Sequence, residues 1–269
     1  MGQSELAAAY LDVVERALTF SLYDGVDGRL ALRPRVVQRA LDAALDRMGL
    51  RIVKVRTTAR EEGLDWPIFA QTMVGVRRLQ SLRTCAERVI ADEIPGDLIE
   101  AGVWRGGASI LMRAVLKAHA CTDRVVVLAD SFQGLPATGA DDDPLDRRIQ
   151  WSKFSELAVS EVEVRANFER YGLLDDQVQF VRGWFKDTMP TLAGRQWALI
   201  RLDGDMYSST MDVLTALYPG LANGGFLIVD DYGEVASARR AVDDFRRAQG
   251  IAEPLQTVDS SGVYWRRAS

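Results

Sequence analysis

The stretch Asp97-Leu98-Ile99-Glu100-Ala101-Gly102-Val103-Trp104-Arg105-Gly106-Gly107-Ala108-Ser109 constrains this chain more than any other. After the punctuating pair Pro95-Gly96 it reads as a short buried strand, a glycine turn and the start of a helix. Glycine lets the backbone approach a ligand that a side chain would hold off. The helix buries a face through Ile110, Leu111, Ala114, Val115 and Leu116. The dinucleotide fingerprint G-x-G-x-x-G is not met, because Trp104 stands where its second glycine would be. Glu100, at the strand end, suits a ligand with an ammonium and hydroxyls better than a pyrophosphate. S-adenosylmethionine carries both, and a sulfonium.

From Asp97 onward strand and helix patterns alternate, which predicts a doubly wound, mostly parallel sheet. Strands are expected at 97–102, 124–130, 178–183, 197–203 and 226–231. Helices are expected at 108–119, 160–171, 209–218 and 235–248. Segments 255–258 and 262–267 read as a closing antiparallel hairpin. Before the sheet, 4–22, 34–48 and 72–90 read as helices and 50–65 as a surface connection. Residues 1–95 are therefore expected to form a helical cap on a core of 96–269. The long connection 134–155 reads as a lid, with Asp141-Asp142-Asp143 as a solvated acidic turn.

The net charge of −5 argues against a nucleic-acid surface. No apolar run is long enough to span a bilayer, and the start has no basic signal-peptide region, so neither membrane nor secretion is expected. Cys85 and Cys121 have no metal-site spacing and read as reduced thiols of a cytoplasmic protein. The single histidine, His119, falls about 15 Å along its helix from the glycine turn. It reads as a cation at a helix C-terminus, which excludes a histidine base.

In open parallel sheets ligands bind beyond the carboxyl ends of the strands. Those ends carry Glu100, Asp130, Asp203 with Asp205, and Asp230 with Asp231. Asp130 is placed for the hydroxyls of a ribose. Asp203, Asp230 and Asp231 come from neighbouring strands and offer only hard oxygen ligands, which selects Mg²⁺ or a similar hard ion. Asp205 is a rival ligand or an outer partner. A cation beside a carboxylate would activate an acceptor hydroxyl for attack on the sulfonium methyl.

The chain resembles the macrocin O-methyltransferase family of antibiotic-sugar O-methyltransferases. The resemblance rests on Asp65-Trp66-Pro67, Thr72-Met73-Val74-Gly75, Asp97 to Ser109, Ala129 to Pro136, Gly183 to Thr188, Leu202 to Thr210 and Gly224 to Tyr232. It implies a class I methyltransferase fold with a seven-stranded sheet. It implies S-adenosylmethionine contacts at Thr72, Met73, Glu100, Gly102, Ser109, Asp130, Ser131 and Trp184. It implies Mg²⁺ at Asp203, Asp230 and Asp231, with Asp203 as general base. The acceptor would be a glycoside or nucleotide-sugar, and the enzyme a homo-oligomer. A phenolic or catechol acceptor, and an NAD(P)-dependent oxidoreductase, are the competing readings. Trp151, Phe154 and Tyr207 are candidates to line the acceptor pocket.

Overall fold

The computed structural model describes residues 2–22, 57–140 and 142–268. The helix expected at 34–48 lies outside the described residues.

The strands are β1 (Asp97–Ala101), β2 (Val126–Asp130), β3 (Val178–Arg182), β4 (Trp197–Leu202), β5 (Leu221–Val229), β6 (Gln256–Thr257) and β7 (Val263–Arg266). They form one seven-stranded sheet in the order β3-β2-β1-β4-β5-β7-β6. β1 pairs in parallel with β2 and β4, β2 with β3 and β4 with β5, and β7 runs antiparallel to β5 and β6. The strand order reverses between β1 and β4, so a crevice opens beyond their carboxyl ends.

Eight α-helices flank the sheet among the described residues: α1 (Gln3–Leu18), α2 (Thr57–Glu62), α3 (Val76–Ala91), α4 (Gly107–Ala118), α5 (Glu161–Arg170), α6 (Phe185–Thr188), α7 (Tyr207–Leu217) and α8 (Ala236–Gln249). Side chains alternate across each strand, so two cores form. Leu98, Val126, Leu128 and Leu199 meet α1, α3, α4 and α5 on one face. Ile99, Val127, Ile200 and Leu227 meet α7 and α8 on the other. Ile110, Leu111, Met112, Val115 and Leu116 of α4 are completely buried. Each such side chain contributes roughly 1.5–3 kcal/mol over an exposed one.

Three departures from the sequence reading have local causes. The helix expected from Thr72 starts at Val76, after Gly75 at its cap, because 72–75 is a loop whose carbonyls bond to side chains. β5 starts at Leu221, five residues ahead of the expected start at Phe226. The connection at 50–65 contains α2 in its described part.

His119 ends α4 and lies 3.4 Å from Glu87, at the opposite end of the helix from the glycine turn. Both cysteines are free. Burial pushes the Cys85 thiol up to about 12, where almost no thiolate exists. A thiol reagent at neutral pH is therefore expected to label Cys121 in the native protein and Cys85 only after unfolding. Equal rates for the two would contradict this packing.

Candidate active site

The glycine turn is built by contact. A Cβ on Gly102 would stand 1.8 Å from the carbonyl oxygen of Asp203, and Gly102 has φ +93. Only glycine fits both demands. A Cβ on Gly107 would meet the Gln71 carbonyl at 2.5 Å and Thr72 at 2.7 Å. The turn thus packs against two other walls of the cleft.

One of those walls, the loop before α3, is held by two arginines. Arg60 donates to the carbonyls of Thr72, Met73 and Val74. Arg105, inside the glycine turn, donates to those of Ile68 at 3.0 Å and Ala70 at 2.9 Å. Side-chain donors replace the ladder this loop lacks.

Between these walls lies a cleft. Met73, Gly102, Asp130, Ser131 and Trp184 line it, as do Asp203 and Asp205. The lid contributes Gly134, Leu135 and Pro136, and Leu157 lies just beyond it. Thr72, Glu100 and Ser109 stand behind this lining. Thr72 is buried and accepts the Val74 N–H at 3.0 Å. Glu100 accepts from the Ser109 hydroxyl and, at 2.6 Å, from Arg201. Burial pushes the Glu100 carboxyl up to about 7, against the pull of Arg201.

Asp130 ends β2 at the cleft. Its two oxygens accept the Val103 and Phe132 N–H groups, each at 2.7 Å. These bonds fix the carboxylate and leave further lone pairs for a ligand. Three non-glycine residues with left-handed backbone gather here: Trp104 at φ 49, Phe132 at φ 56 and Asp205 at φ 54. Such conformations concentrate at functional sites.

Beyond β4 and β5 the acidic cluster closes. Asp203, Asp205 and Asp231 each offer an oxygen within 4.8 Å of the others. Asp230 turns inward and accepts from Arg78 of α3 and, at 2.7 Å, from Arg201. Burial opposes its charged form, but the two guanidinium groups outweigh burial and hold the carboxyl below the usual range. The other three are raised. Burial, then the charges of Asp203 and Asp230, pushes Asp205 up to about 8. Burial and the surrounding carboxylates push Asp231 well up. Asp203 is raised by burial although Arg201 bonds to it at 2.9 Å.

The arginines are the part that sequence reasoning missed. Arg201 sits in the apolar run Trp197-Ala198-Leu199-Ile200-Arg201-Leu202 and is buried. A charge inside such a run signals a paired buried ion. Its partner is legible only from register, which places Glu100 of β1 beside it. Among the described residues, Glu100, Asp203, Asp205, Asp230, Asp231 and Asp259 thus surround only Arg78 and Arg201. This excess of hard oxygen donors fits a divalent cation.

Of the aromatic candidates, Phe154 packs in tilted contact with both Trp66, at a centroid separation of 5.8 Å, and Trp151, at 6.0 Å. Tyr207 instead donates to Asp244 of α8 at 3.3 Å. The acidic turn is less solvated than expected, because Asp143 accepts from Arg240 at 3.3 Å and its side chain is mostly buried.

Comparison with known proteins addresses the chemistry. The profile of the TylF family, macrocin-O-methyltransferase, matches residues 7–267. A Streptomyces olivaceus protein, 8-demethyl-8-(2,3-dimethoxy-alpha-L-rhamnosyl)-tetracenomycin-C 4'-O-methyltransferase, is 54% identical over 208 residues, covering 77% of this chain and 79% of the relative. Demethyldecarbamoylnovobiocin O-methyltransferase of Streptomyces niveus is 53% identical over 213 residues, covering 79% and 81%. The solved structure of the O-methyltransferase NovP superimposes with a TM-score of 0.86 at 44% identity, covering 98% of this chain and 100% of that one. The switch-point cleft, the glycine turn and a match over nearly the whole length lead to one conclusion: this chain belongs to the macrocin O-methyltransferase (TylF) family of S-adenosylmethionine-dependent O-methyltransferases.

Proposed function

We propose that this enzyme methylates a sugar hydroxyl of an antibiotic intermediate, with Mg²⁺ held in the acidic cluster. The observation that carries the reading is the cluster itself: carboxylates gathered on the wall of the cleft that the glycine turn forms. The names of the relatives support the acceptor class, since one is a methyltransferase for a rhamnosyl-bearing compound.

In this reading Met73, Gly102, Ser131 and Trp184 enclose S-adenosylmethionine, and Asp130 takes its ribose hydroxyls. Thr72, Glu100 and Ser109 support that wall from behind. The segment before β1 and the lid at 134–155 hold the acceptor. Asp203, Asp230 and Asp231 would hold Mg²⁺, which when bound would supply Lewis acidity toward the acceptor hydroxyl. Arginine bonds orient Asp203 and Asp230, as outer partners orient metal ligands. They leave each oxygen with lone pairs to spare.

The sequence reading gave the base role to Asp203. The geometry supports Asp205 better, because no donor among the described residues bonds to its carboxylate. The acceptor oxygen attacks the methyl carbon, the carbon–sulfur bond breaks, and its electron pair leaves on sulfur as S-adenosylhomocysteine. The hydroxyl proton goes to Asp205.

The test is a paired acceptor screen with and without a chelator. Deoxysugar glycosides should be methylated, and excess chelator should reduce turnover to background. Turnover of catechols but of no glycoside would reject the acceptor class. Full activity in chelator would reject the metal.

A further inference from the structure

The lid carries a residue that this chemistry does not use. Asp146 lies in a connection, yet it is completely buried. Its Oδ1 accepts the Tyr207 N–H at 2.8 Å and its Oδ2 accepts the Ser208 N–H at 3.4 Å. Those residues open α7, directly after the turn carrying Asp203 and Asp205. The helix has no cap of its own: Met206 precedes it, and its first turn holds no acid. A carboxylate there satisfies orphan N–H groups and meets the positive end of the helix dipole. The chain supplies it from the lid, 61 residues earlier.

Other ties tighten the same junction. Asp143 pairs with Arg240 of α8 at 3.3 Å. Ser237, in the first turn of α8, donates to the Asp205 carbonyl at 3.0 Å. Just beyond the far end of the lid the chain is anchored to the glycine turn, where Trp104 donates to the Glu156 carbonyl at 2.9 Å.

We infer that Asp146 is a positioning residue, fastening the lid to the 203–206 turn so that Asp205 and the acceptor wall move as one piece. This rests on the reading of the acidic cluster given above. Asp146 touches no reacting atom. It acts by fixing where α7 begins and hence where Asp205 sits.

The test compares wild type with Asp146→Ala and Asp146→Asn. Arg147 and Arg148 are exposed immediately after Asp146 and serve as trypsin sites. In Asp146→Ala, cleavage there should be about fivefold faster, the effect of losing one helix cap. The acceptor KM should rise, and kcat should fall about tenfold, as a small misplacement of a catalytic group costs. Calorimetry should show S-adenosylhomocysteine binding unchanged, and paramagnetic resonance should show Mn²⁺ binding retained. Asp146→Asn keeps an oxygen acceptor and should lie between the two. It also keeps the test open if the alanine variant does not fold. Wild-type cleavage or wild-type kcat in a folded Asp146→Ala protein would overturn the inference. So would an equal loss of cofactor and Mn²⁺ binding, the mark of a merely destabilised fold. If wild type itself binds no Mn²⁺, the reading of the cluster fails, while the trypsin rates still judge Asp146.

Discussion

Asp205→Asn is expected to lower kcat by about 10²–10⁴-fold, the range that general-base catalysis supplies. The substitution keeps the size of the side chain and removes its ability to collect a proton. Asp205 lines the cleft and stands beside Asp203 and Asp231, yet no donor among the described residues bonds to its carboxylate. Asp230, by contrast, is committed to Arg78 and Arg201. The two acids should therefore fail differently. Asp205→Asn should retain Mn²⁺ and S-adenosylhomocysteine binding while turnover collapses. Asp230→Asn should weaken Mn²⁺ binding and also loosen the arginines. If Asp205→Asn loses Mn²⁺ as completely as turnover, Asp205 is a ligand and the base must be sought in Asp203.

The second large effect concerns stability. Arg201→Met should destabilise the enzyme by about 3–5 kcal/mol, the usual result of removing one partner of a buried ion pair. Arg201 is 2% exposed. It bonds to Glu100 at 2.6 Å, to Asp203 at 2.9 Å and to Asp230 at 2.7 Å. Methionine fills much of the same space but leaves three carboxylates facing each other without that charge. At about 2–4 °C per kcal/mol for a chain of this size, the melting temperature should fall by roughly 6–20 °C. Arg201→Lys should recover only part of the loss, since a point charge cannot reproduce the planar fork that reaches three partners. A melting temperature within a degree or two of wild type for Arg201→Met would show that these carboxylates are neutral or solvated.

The sheet was legible because its strands are short apolar runs between turn signals, and because Gly102 sits at the only kind of position that demands glycine. Asp130, Asp203 and Asp231 were legible as the last residues of such runs. The order of loss is equally physical. The Asp205 environment depends on a left-handed backbone that spacing does not reveal. The inward turn of Asp230 depends on Arg78, which arrives from a helix far away in sequence. Asp146 looked like one more acid in a polar connection, because nothing local marks it as the cap of a distant helix. Long-range pairing is what a single sequence conceals.

The left-handed residues Trp104, Phe132 and Asp205 carry a lesson for engineering. Each costs on the order of 1–3 kcal/mol relative to a relaxed backbone. A thermostabilisation campaign ranking positions by conformational relief would choose them first and replace them with glycine. Their turns carry or adjoin the cleft wall, so heat tolerance gained there would come at the expense of turnover. Gains without that penalty should be sought at relaxed positions away from the crevice.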